Sequence, residues 1–323
     1  MRVMIIGAAG FIGSHLCLSL ADGGNAVMAV DNLSHGTDIC LRNHKGIEFC
    51  KGDASSIDFK NLIDDFQADA VCHLADASQA SAAWDTLRFG NYVDGLINVL
   101  QASLGSKISK FVYASSADYL FGKENSEFPV RDRTKTWPAD MYGVHKYNNE
   151  RFIAHASSHA SKPRLRWTVV RMPYVYGPSM RHRCKVVRKG YCFISEAIHK
   201  PRALLSIPGD GNQTRDFLWI ADAVSALEIA IQDRGLVGTV NIGTQVEHKV
   251  REVLEKIDEL MNRNKRRPKK LNVKYTYKHK DKVLRSCVNA ATMHSHRWQP
   301  KMSIAHGLQY LVDNGVEMSL ESQ

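Results

Sequence analysis

The 323-residue chain has no uninterrupted apolar run near the ~20 residues of a membrane span, which argues against a helical membrane protein. It also has no CxxC pair. Its seven cysteines, at positions 17, 40, 50, 72, 184, 192 and 287, are odd in number and mostly lie within apolar stretches. Small buried thiols in a reducing compartment fit that pattern better than disulfides, and no metal site is expected. Arg2 ahead of an apolar run imitates a secretory signal, but glycines interrupt the run and His15 follows without a cleavage site. A cytoplasmic protein is expected, and neither an internal repeat nor a low-complexity tract is present.

Charge balance is missing in one place only. The net charge is +10, and residues 262–285 hold eleven Lys/Arg against the single acid Asp281, so the rest of the chain balances to zero. Such a run reads as a solvated face or loop, or as a collar for an anionic nucleotide substrate. Nucleic acid is the weaker reading, because no aromatic interleaving or recognised module accompanies the charge.

What the chain does have is a strong beginning. Arg2–Ile6 is a short apolar, β-branched run; it stops at Gly7, Gly10 and Gly13, after which Ile12, Leu16 and Leu20 recur every four residues. The period changes from strand to helix across the glycines. A turn of that kind lets the backbone approach a ligand, and the helix start attracts a pyrophosphate. A second strand then ends at Asp31, eighteen residues past Gly13, where a carboxylate would accept from a ribose diol and repel a 2′-phosphate. The spacing therefore favours NAD over NADP.

Strand and helix patterns keep alternating: strands at 46–51, 70–73, 111–114 and 166–171, helices at 57–66, 91–104 and from about residue 140. That order predicts an α/β fold, a Rossmann-type doubly wound parallel sheet. After Arg171, prolines and a basic loop at 181–189 point to excursions from the sheet, with a helix at 222–231, a returning strand at 239–242 and a last helix at 304–313. The expected division is a dinucleotide-binding domain of residues 1–172 and 215–245, and a smaller C-terminal substrate-binding lobe of 173–214 and 246–323.

Tyr142 and Lys146 stand four residues apart and share a helix face. A phenol of ordinary pKa ~10 is a poor base at neutral pH, but a nearby ammonium favours its phenolate. Ser115 and Ser116 close an apolar strand at the edge where the cofactor is expected.

With these motifs the chain resembles the extended short-chain dehydrogenases/reductases, and within them the nucleotide-sugar epimerases and dehydratases. The likeness extends through His73-Leu-Ala75, Tyr176-Gly-Pro178, 209–216, Asn241-Ile-Gly243 and Trp298-Gln-Pro300. It implies a bound NAD with its pyrophosphate on Gly7, Gly10 and Gly13, Asp31 on the adenosine ribose and Asp53 beside the adenine. Phe11, Ile12, Asn32, Ala54, Leu74, Ala75, Asn91 and Ser115 complete the implied cofactor set. By the same likeness Lys146 holds the nicotinamide ribose, Tyr142 takes a sugar hydroxyl proton and Ser116 hydrogen-bonds the reacting oxygen.

On the substrate side the resemblance implies Asp118, Tyr174, Arg215 and Arg285, with Lys280 and Lys282 competing for the last place. Arg215 would contact the nucleotide diphosphate; its other reading is a strand-edge ion pair with Asp216. Asp222 reads as a helix N-cap, and His73 as a satisfied strand-end histidine whose backbone borders the cofactor. Family 4,6-dehydratases carry an Asp-Glu pair directly after the catalytic Ser or Thr; Ala117 and Asp118 stand there, so dehydration is disfavoured. A cysteine at Asp118 would be wanted for 3,5-epimerisation, and Tyr174 replaces the usual asparagine. The interval from Ser116 to Gly122 is one residue longer than in typical 4-epimerases.

The expectation is an NAD-dependent 4-epimerase of a nucleotide sugar, a UDP-hexose first among them, paired as a homodimer through helices 91–104 and 142–156 as the likeness implies. A dehydratase, decarboxylase or reductase is the enzymatic alternative. A non-catalytic NAD-binding regulator is the other.

Overall fold

The computed structural model describes residues 1–76, 86–121, 127–159, 165–178, 193–199, 203–263, 270–276 and 283–315, with the side chains of 86–92 and 159 left out. The elements alternate through β1 (Arg2–Ile6), α1 (Phe11–Asp22), β2 (Ala26–Asp31), α2 (Ile39–Arg42), β3 (Ile47–Lys51), α3 (Phe59–Phe66), β4 (Ala70–His73), α4 (Thr86–Leu104), β5 (Lys110–Ser116), α5 (Met141–His159) and β6 (Arg166–Met172). Beyond them come β7 (Tyr174–Tyr176), α6 (Phe193–His199), β8 (Leu205–Pro208), β9 (Thr214–Trp219), α7 (Ile220–Gln232), β10 (Gly238–Asn241) and β11 (Glu247–Lys249). The chain closes with α8 (Val250–Arg263), β12 (Val273–Thr276), α9 (Ala291–Ser295) and α10 (Ile304–Asn314).

Seven strands form one sheet in the order β10-β6-β5-β4-β1-β2-β3, and every pairing in it is parallel. This is the Rossmann-type doubly wound α/β architecture. The order reverses between β1 and β4, so the carboxyl ends of those strands open a crevice. Side chains alternate across β1: Val3 and Ile5 join Leu16, Leu20 and α7 on one face, while Met4 and Ile6 join Phe59, Ile63 and Leu96 on the other. Both faces are dry, which is why these strands read as continuous apolar runs.

A buried lysine opens the interior strand β5. Lys110 is fully enclosed and donates to the carbonyls of Asp233, at 3.0 Å, and Leu236. Burial pushes its ammonium down to about 8.

Two smaller sheets, β11-β9-β7 and β12-β8, lie outside the main one. β9 therefore does not belong to the large sheet, whereas α7 packs on α1 and β10 returns beside β6. The amphipathic α8 buries Val250, Val253, Leu254, Ile257, Leu260 and Met261 against its neighbours, among them α6 and α10. No element is expected over 250–261 from the strand and helix patterns given above, and the basic run begins only at the end of this helix. α4 starts five residues earlier than the strand-helix pattern suggested. Among the described residues, no helix is long and apolar enough to cross a membrane.

Candidate active site

The cofactor turn forms as its glycines require. Gly7 has φ +85°, and a Cβ there would sit 2.5 Å from the Ala75 backbone nitrogen, so the turn lies directly over Leu74 and Ala75. Gly10 caps α1 in an extended conformation without any side-chain acceptor. The first amides of the helix, at Phe11, Ile12 and Gly13, are therefore left for an incoming acceptor.

Asp31 ends β2, with one carboxylate oxygen accepting from Ala9 N at 2.9 Å and the other from Leu33 N at 2.7 Å. Burial raises its carboxyl, and those two amides pull against the rise. Next to it, Asn32 donates to Asp53 at 2.7 Å, and Asp53 also accepts from Ser55. Ala54 follows Asp53 and meets α4 near Gly95. Strand ends thus gather a helix start, a carboxylate and a polar pair along one crevice, a donor and acceptor set that fits a dinucleotide. Asn91 falls in α4, but its side chain lies outside the described residues.

Ser115 stands at the carboxyl end of β5, next to Ser116. Alternation along β5 turns its hydroxyl away from Ser116, and it donates instead to Glu150 at 2.6 Å. Glu150 and Arg171 form a buried bidentate pair, at 2.9 and 2.6 Å.

Tyr142 is the second residue of α5, and Tyr119 connects it to Ser116. The Tyr119 amide donates to Ser116 Oγ at 3.4 Å, and its ring meets the Tyr142 ring edge-on at 5.3 Å. Gly143 makes this approach possible: a Cβ there would lie 2.2 Å from the Tyr119 carbonyl oxygen. Lys146, 4% exposed, donates to the Ala114 carbonyl at 2.6 Å and sits 5.7 Å from the Tyr142 ring centre. Serine, phenol and ammonium therefore share one buried corner beside the carboxyl ends of β4 and β5.

Asp118 lies behind Ser116 and accepts from the Ser286 hydroxyl, with Arg215 Nε 4.0 Å from its other oxygen. Arg215 also donates to the carbonyls of Thr214 and Val283, at 2.7 and 2.9 Å. The Arg215–Asp216 ion pair is not formed, because neighbouring residues of β9 point to opposite faces. Asp216 instead accepts from Thr244 and Gln245. Burial pushes its carboxyl up to about 6, against the pull of those donors. Tyr174 packs edge-on against Phe217 at 5.2 Å, part of an aromatic cluster with Phe193. Arg285 is half-exposed, pairs with Glu247 and covers the Phe128 ring at 4.3 Å. Lys280, Lys282, Gly122 and the basic loop at 181–189 lie outside the described residues, as does much of the basic run.

Two further expectations fail. Asp222 does not cap α7, whose N-cap is Trp219; it lies in the first turn and accepts from Met302 N at 2.9 Å, tying the C-terminal segment to the helix. His73 is not satisfied: among the described residues neither ring nitrogen has a hydrogen-bond partner, because β4 is central and the ring packs on Tyr113. Asp76, His145, Tyr119 and Ser286 went unnoticed, since a polar residue after an apolar strand looks like any loop residue.

A parallel sheet with a glycine turn at its switch point and a Ser/Tyr/Lys corner defines a dinucleotide-dependent enzyme of the short-chain dehydrogenase/reductase type. The model of the NAD dependent epimerase/dehydratase family matches residues 3–243, and the chain belongs to that family, whose cofactor is NAD. The chain is 29% identical to a UDP-glucose 4-epimerase of Mycolicibacterium smegmatis, covering 78% of this chain and 80% of the relative. It is 25% identical to the dTDP-D-glucose 4,6-dehydratase of Homo sapiens, over 97% of this chain and 89% of that one. Among solved structures, the UDP-glucose 4-epimerase of Thermotoga maritima with UDP-glucose superposes at a TM-score of 0.84, with 25% identity and coverage of 97% and 98%.

Proposed function

We propose that the protein is an NAD-dependent nucleotide-sugar 4-epimerase, acting on a UDP-hexose. Bound NAD, held at the Gly7–Gly13 turn and Asp31, would supply a hydride acceptor and donor for the sugar C4. Tyr142 accepts the C4 hydroxyl proton and gives it back, a transfer worth about 10²–10⁴ in rate. Ser116 donates a hydrogen bond to the reacting oxygen, and Lys146 supplies the positive charge that favours the phenolate. Arg215, a fixed guanidinium fork, suits the diphosphate.

The engagement of Asp118 favours epimerisation over dehydration. This acid is bound by Ser286 and faces Arg215, and Ala117 precedes it. A corner built that way has no acid pair to move protons at C5 and C6. The reading also includes Asp31 and Asp53 at the adenosine, the two-part division at residues 172, 215 and 245, a homodimer through α4 and α5, and a cytoplasmic location.

Purified protein incubated with UDP-, GDP-, dTDP- and CDP-sugars, followed by NMR, should interconvert one pair of C4 epimers without net NADH. Release of a stable 4-keto product would select the dehydratase instead. Tyr142→Phe should abolish turnover; unchanged biological activity in that variant would mean a non-catalytic regulator.

A further inference from the structure

Beside the catalytic corner lies a buried ionic cluster that the proposed chemistry leaves unused. Asp76 follows β4 by three residues, with its side chain only 10% exposed. One carboxylate oxygen contacts Lys146 Nζ and the other lies 3.0 Å from His145 Nε2. Burial acts to raise this carboxyl, but the Lys146 charge and the His145 contact outweigh it and hold it well below the usual carboxylate range. An ammonium has three N–H groups; the Ala114 carbonyl accepts from one, and the Asp76 carboxylate lies against the ammonium as its ion-pair partner. That arrangement leaves N–H capacity for a ribose hydroxyl or the phenol.

The other groups around Lys146 contribute little charge. Burial pushes His73 of β4 down to about 4, so it is neutral at pH 7, and raises the Tyr113 phenol of β5 far above its ordinary value. Glu150 of α5 is matched by Arg171 of β6. His145, on α5 with Tyr142, contacts both Asp76 and Asn149. Among the described residues, the charges nearest the Tyr142 phenol that the structure brings together are thus Lys146 and Asp76, with the Tyr119 ring edge-on against it.

We propose that Asp76 is a positioning residue for the Tyr142–Lys146 pair: its carboxylate holds the ammonium against the Ala114 carbonyl and offsets the charge that draws the proton from Tyr142. The phenol then loses its proton at higher pH than a lone lysine would dictate, which keeps the base protonated until substrate and cofactor are aligned. This rests on the reading of Tyr142 as the proton acceptor.

The test uses NAD-loaded protein and needs no sugar. Tyr142 is titrated by near-ultraviolet phenolate absorbance, as the difference between each protein and its Tyr142→Phe counterpart. Asp76→Asn should lower the midpoint by about one pH unit, the usual effect of a neighbouring charge. Asp76→Glu, which keeps the charge, should leave it near the parent value. The acid limb of the kcat/KM profile on a nucleotide sugar should move down in step, with bound NAD retained. Should Asp76→Asn fail to fold, Asp76→Ser, which leaves room for water at the ammonium, carries the same expectation. A midpoint that stays or rises in the folded variant overturns the role, as does proton loss without phenolate absorbance, which would place the loss on Lys146. Absence of turnover on every nucleotide sugar would sink the epimerase reading alone, because the absorbance readout is independent of substrate.

Discussion

His73 sits in a central strand, 3% exposed, and its burial makes it a source of acid sensitivity. Its imidazole is depressed from 6.5 to about 4 in the folded chain. A depressed group contributes stability above its unfolded value, and that stability is lost as pH falls through the folded value. At about 1.4 kcal/mol per unit, the loss between pH 6.5 and 4 amounts to roughly 3 kcal/mol. Asp216 acts with the opposite sign: its carboxyl is raised from 3.8 to about 6, so its contribution is fully present below pH 3.8 and fades as pH rises toward 6. The two slopes partly cancel in the parent protein. His73→Phe, which keeps a ring against Tyr113, should therefore hold more of its pH 7 stability at pH 5 than the parent does, as measured by urea unfolding at both pH values. None of this is visible in the sequence, where His73 is one polar residue at a strand end. Its neighbours β1 and β5, which wall it in, come from distant parts of the chain.

At the scale of the element, α5 carries both Tyr142 and Lys146, the proposed base and its ammonium, and its position depends on how closely it can approach the loop after β5. Gly143 meets the Tyr119 carbonyl with no room for a methyl group, and Pro138 closes the other side. Gly143→Ala should lift the first turn of α5 and displace Tyr142. A displacement near 1 Å costs on the order of 10²-fold in rate. Kinetics should show kcat falling by about that factor while KM and bound NAD change little. The β1–α1–β2 unit was legible because the hydrophobic period switches at three glycines and an acid follows at the right distance. The Tyr142–Lys146 pair was legible through its four-residue spacing. The partners that give the pair its setting were not: Tyr119, Asp76 and His145 meet only because β4, β5 and α5 are neighbours in space. The pairing of β7, β9 and β11 was hidden for the same reason, since no local pattern records which strand lies beside which.

At the scale of the whole molecule, distant segments are joined by part-buried polar ties in addition to apolar packing. Asp132 is such a tie. One oxygen accepts from Asn241 N at 2.7 Å in the edge strand β10, the other from Thr292 Oγ1 at 2.5 Å in α9, and its carbonyl accepts from Arg171 at 3.1 Å. Removing the carboxylate leaves two donors without acceptors, at about 1–3 kcal/mol each. Both donors are only part-buried, so Asp132→Ala should lower unfolding free energy by roughly 2 kcal/mol, the low end of that sum. In urea, the midpoint should fall while the slope is kept, the mark of a stability change without a change in compactness. The described cations of the basic run behave differently. Arg263 and Arg285 form exposed pairs with Glu259 and Glu247, the kind of contact worth little in water.

The order of strands in the large sheet also bears on how the chain is made. β4, β5 and β6 are laid down outward from β1 in the sequence in which they leave the ribosome, but the place beside β6 is filled only when Gly238–Asn241 emerges. Until then Lys110 lacks the two carbonyls that receive its ammonium, and an apolar strand edge is open to other nascent chains. The last-arriving strand seals the sheet, and the segment leading into it brings the carbonyls that solvate the buried ammonium, so both arrive in the same interval of synthesis.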